Sequence, residues 1–68
     1  MPAEKKYESD RVSFTWATTE IPTREEVINE QRSVGFDVCG YGGPNDLDHQ
    51  RDGIGGYVTT WWCHRSCD

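Results

Sequence analysis

The sequence predicts an α+β domain: a small antiparallel sheet of about three strands with one helix packed on it, the whole stapled by zinc. Three observations point there. Residues 12–18 alternate apolar and polar with the period of a strand. Residues 21–35 carry a helix start, an apolar stripe and a glycine stop. All three cysteines and both histidines fall within residues 39–68, beside a β-branched and aromatic run.

Residues 1–10 are polar and of mixed charge, with Tyr7 as the sole apolar anchor, and read as a flexible N-terminal tail. Residues 11–68 then form a single metal-stabilised domain. Val12, Phe14 and Trp16 point to one side of the first strand, Ser13, Thr15 and Ala17 to the other. Thr23 and Glu26 have the spacing of a capping box, and Glu25 and Glu26 suit the positive end of the helix dipole. Val27, Ile28, Gln31 and Val34 make the buried stripe, and Gly35 supplies a left-handed stop. The outer face carries Glu25, Asn29, Glu30 and Arg32. Phe36–Cys39 reads as a short strand and Gly40–Asp46 as a turn-rich loop. The polar stretch Leu47–Arg51 leads into the glycine cluster at Asp52–Gly56. Tyr57–Trp62 is the final strand, with a tryptophan on each face.

Composition bounds the function. A chain of 68 residues, 34% of them hydrophobic, is short of the size at which one apolar core suffices, so a staple is expected. The formal charge of −5 repels phosphate backbones and excludes direct nucleic-acid binding while suiting a partner with a basic surface. The N-terminus lacks the apolar stretch of a secretory signal, and no run approaches the roughly twenty apolar residues of a membrane span. The expected location is therefore cytoplasmic. There, cysteines bind metal or do chemistry more often than they pair, and an odd count would leave one thiol over.

The ligand set that follows is Cys39, His49, Cys63 and Cys67, holding one structural zinc ion in a closed tetrahedron. His64 competes for the histidine place, but on a strand it faces away from Cys63. Against zinc stand a Cys63–Cys67 or Cys39–Cys67 disulfide and a reading in which buried cysteines act as small hydrophobes. Asp46, Asp48 and Asp52 lack the closing glutamate of a calcium loop and read as solvated acids. Neither glycine cluster has the ending of a phosphate loop.

The function expected is a non-catalytic, zinc-stabilised protein-interaction module. It would be an acidic regulator or inhibitor that docks, as a monomer or small homo-oligomer, on a larger protein, the nucleic-acid-binding kind included. Glu25, Glu26, Glu30, Tyr41 and Trp61 would form the contact. Its sharpest form is a mimic of nucleic-acid charge, of viral origin, that blocks a basic groove. The alternatives are a small metal-dependent hydrolase or nuclease-like site on Asp48, His49 and His64, and a subunit of an obligate assembly.

Overall fold

The alternation in residues 12–18 and the aromatic run after Gly56 have the same physical outcome: two strands that pair through their full length and hide one face each. The computed structural model describes residues 2–36 and 44–64. Its elements are β1 (Glu4–Tyr7), β2 (Arg11–Thr18), α1 (Arg24–Ser33), β3 (Asn45–Arg51) and β4 (Tyr57–His64). They form one four-stranded sheet in the order β1-β2-β4-β3, with every neighbouring pair antiparallel. The α+β class thus holds, with four strands rather than three.

The central pair β2 and β4 sets Val12 opposite Cys63, Phe14 opposite Trp61 and Trp16 opposite Thr59. Directly opposed residues share a face, so these side chains line the side that α1 covers. Val12, Phe14, Trp61, Cys63, Val27 from the helix and Ala3 from the N-terminal segment are the buried apolar residues. Phe14 stacks on Trp61 with ring centres 5.1 Å apart, and Phe36 meets Phe14 edge-on at 5.7 Å. The core is thin, with Phe14 and Trp61 as its largest apolar residues.

Helix α1 starts and stops where its local chemistry directs. The Glu26 N–H donates to Thr23 Oγ1 at 3.1 Å, and the Thr23 N–H donates to Glu26 Oε1 at 2.9 Å, completing the capping box. At the other end Gly35 adopts φ 92°. Its N–H bonds the Arg32 carbonyl at 2.9 Å and the Phe36 N–H bonds that of Gln31 at 3.1 Å, a Schellman stop. The stop carries Phe36 onto Phe14. Asp37, Val38 and Cys39, expected to continue such a strand, lie outside the described residues, as do Tyr41 and Cys67.

Two strands come from segments that read as tail and loop. Glu4–Tyr7, expected to be flexible, pairs with Val12–Thr15 as an edge strand whose four residues are all exposed. Asn45–Arg51 pairs with β4 as the opposite edge. Edge strands held by backbone bonds need no apolar face, and charged side chains there discourage further pairing. The β3–β4 turn is built on Asp52, whose Oδ1 accepts the N–H groups of Ile54 and Gly56, both at 2.9 Å. Those bonds hold the Asp52 carboxyl below its ordinary range, that of Gly56 first. Gly56 is required by close approach, since a Cβ there would lie 2.8 Å from the Thr18 carbonyl oxygen.

Candidate interaction surface

The sheet has two faces of opposite character, and alternation along each strand decides which side chain goes to which. Under the helix, Gln31 is fully buried at the centre of the stripe. Its Oε1 accepts from the Trp61 indole N–H at 3.0 Å and from the Cys63 thiol at 2.9 Å. The indole nitrogen can only donate, which fixes the amide orientation and leaves Nε2 buried without a partner among the described residues. Burial pushes the Cys63 thiol up to about 11, so at neutral pH it is a protonated donor and not a thiolate.

Among the described residues no element packs on the face away from the helix. That face carries Arg11, Ser13, Thr15 and Ala17 of β2, Val58, Thr60, Trp62 and His64 of β4, and Asp48 and Gln50 of β3. Trp62 is its centre. The Arg11 guanidinium lies over the indole at 4.1 Å from the ring centre. The indole N–H donates to Asp46 Oδ2 at 2.6 Å, and His64 meets the ring edge-on at 5.3 Å. Asp46 reaches the indole from a bulge in β3, with φ 53°. Arg11 is held in turn by Asp10, through contacts of 3.1 and 3.2 Å. That pair lowers the Asp10 carboxyl and raises the Arg11 guanidinium, first of all through their mutual hydrogen bond.

The residues expected from sequence fall as follows. Trp61 is 2% exposed and belongs to the core, because its register opposite Phe14 turns it under the helix. The tryptophan on the other face is Trp62, whereas the contact set named Trp61. Glu25 is exposed, whereas Glu26 closes the capping box and Glu30 Oε2 accepts the Ala3 N–H at 2.7 Å, anchoring the segment before β1. Two of the three helix carboxylates thus have structural work.

His49 sits on the helix side, its Nδ1 2.9 Å from Thr59 Oγ1, while Cys63 lies further along β4. In this arrangement the His49 ring contacts Thr59 and the Cys63 thiol donates to Gln31. Among the described residues no group of three or more His, Cys, Asp or Glu side chains converges. Cys39 and Cys67, the other two members of the set, lie outside those residues. Alternation also parts the hydrolase-like set, since Asp48 and His64 face away from the helix and His49 faces it. Among the described residues no helix is long and apolar enough to cross a membrane.

Comparison with protein-family models, curated proteins and solved structures finds no match to this chain.

Proposed function

We propose that this chain is a non-catalytic protein-interaction module, an acidic regulator that docks through the face of its sheet away from the helix on a larger protein with a basic surface. The observation that carries this reading is Trp62, half-buried and clamped between Arg11 and Asp46 on a face that no other described element packs against. A tryptophan already fixed in place loses little conformational freedom on binding, and tryptophan is enriched where interfaces concentrate their energy. Around it stand the carboxylates of Glu4, Glu8, Asp10, Asp46 and Asp48, against the cations of Lys6 and Arg11. With the chain at −5 overall, the field attracts a basic partner and turns nucleic acid away.

The test is binding by variants whose folding is checked by thermal melting. Wild type and Glu25→Gln should retain the same basic partner, and Trp62→Ala should lose it while still melting cooperatively. Affinity should fall as salt rises, because the attraction is between exposed charges. Undiminished binding by Trp62→Ala, or indifference to salt, would refute the assignment.

A further inference from the structure

The helix does not cover the whole of its side of the sheet. Where β2 ends, an open groove of about 810 Å³ runs from Pro2 and the last half of α1 to the β3–β4 turn. Trp16 lines its base, standing edge-on to Trp61 at 6.4 Å. Ile54 forms a wall at the tip of the turn and is 93% exposed, the most exposed large apolar side chain among the described residues. The charged residues lining the groove are Glu30 and Asp52, and no lysine or arginine among the described residues lines it. Both walls are fixed in advance. Glu30 is tied to the Ala3 N–H, and Asp52 holds the turn through two backbone N–H groups.

We infer that this groove receives an extended segment of a protein partner, which lays an aliphatic side chain on Trp16 and Ile54 and directs a lysine or arginine at Glu30 and Asp52. An exposed isoleucine on a braced turn is an apolar contact that no described residue of its own chain covers, and the two carboxylates in the lining choose the sign of the neighbouring residue. Charge also decides against a second copy of this chain. A twofold contact would bring Glu30 and Asp52 of one molecule against the like-charged groove of another, with each chain at −5. The inference rests on reading the chain as an interaction module and adds a second site, away from Trp62, with a stated ligand chemistry.

The experiment is a titration of the isotope-labelled full chain, followed by amide and indole resonances. The probe is the acetylated, amidated tetrapeptide Leu-Arg-Leu-Lys, and the control is the same peptide with glutamate in place of both basic residues. Saturable shifts should gather on the Trp16 indole, Ile54, Gly55 and Gly56, with none from the control. Ile54→Ser should weaken binding about tenfold through lost apolar burial. Glu30→Gln, which keeps the acceptor for Ala3, should weaken it about threefold through lost charge. Shifts centred on Trp62 and Arg11 instead would overturn the groove while supporting the reading that rests on Trp62. No saturable shift, or equal binding of the control, would overturn it as well. So would a concentration-dependent dimer abolished by Ile54→Ser, which would assign the groove to a second copy.

Discussion

The protonation state of Cys63 separates two incompatible roles for that residue, and alkaline unfolding reads it directly. Burial raises the thiol from an ordinary 9.0 to about 11. The folded state therefore holds this proton more tightly than the unfolded chain does. Below pH 9 the contribution to stability is complete, and it drains away as pH rises through the folded value near 11. A shift of about two units corresponds to at most about 2.7 kcal/mol. A 68-residue domain has an unfolding entropy of about 0.14 kcal/mol/K, so the full loss would lower the melting midpoint by about 19 °C. The assay is a series of thermal melts across that range, compared with Cys63→Ser. The serine hydroxyl can still donate to Gln31 Oε1 but does not titrate there, so subtracting the two series removes the contribution of tyrosines, lysines and other thiols. The wild type should show the additional alkaline fall. A residue held as a metal thiolate would behave in the opposite sense, losing stability as pH falls. Parallel alkaline limbs in wild type and Cys63→Ser would refute the protonated-donor assignment.

Three further outcomes follow from single contacts. Gly56→Ala forces a Cβ to within 2.8 Å of the Thr18 carbonyl and should cost about 1–3 kcal/mol in chemical denaturation. Gly53→Ala has nothing within 4 Å of the new carbon and should leave the midpoint in place; equal effects would show that the turn is not braced against β2. Glu30→Ala removes the acceptor for the Ala3 N–H, costs on the order of 1 kcal/mol, and should speed hydrogen exchange along β1 where Glu25→Ala does not. Finally, a metal chelator should leave the thermal midpoint unchanged, since His49 and Cys63 are occupied by Thr59 and Gln31. A drop restored by zinc would return a metal to the structure.

The legible parts of the fold were those whose information is local. The alternation of Val12, Phe14 and Trp16, the Thr23–Glu26 box and the Gly35 stop each concern residues within a turn or two of one another, and each forms as its spacing implies. Strands β1 and β3 were hidden because their stability comes from partners distant in sequence. Glu4 faces Thr15, and Asp48 faces Thr60, without an apolar pattern to announce either pairing. The same limit applied to the surface. A tryptophan on each face of β4 is visible in the sequence, but only the register with Phe14 says that Trp61 goes under the helix and Trp62 away from it. Likewise the Glu30–Ala3 bond joins residues 27 positions apart, and nothing local marks Glu30 as an anchor.

Gln31 shows how a core this thin can still choose one arrangement. Apolar residues alone would let the helix slide along a sheet lined by Val12, Phe14, Trp61 and Cys63, since dispersion contacts vary smoothly with position. A buried carboxamide oxygen shared by one indole and one thiol does not vary smoothly. Displacement of a few ångströms would strand the Trp61 N–H, at a cost of about 1–3 kcal/mol. The unpartnered Nε2 is the drawback of that device, and a polar group is retained there even so. The register it fixes has consequences at the surface. With the helix held over Trp61 and Cys63, Trp16 at the far end of β2 is left at the base of an open groove. Trp62, one residue on from Trp61, is delivered to the opposite face. One hydrogen-bonded glutamine thus connects the packing of the interior to the placement of Trp16 and Trp62.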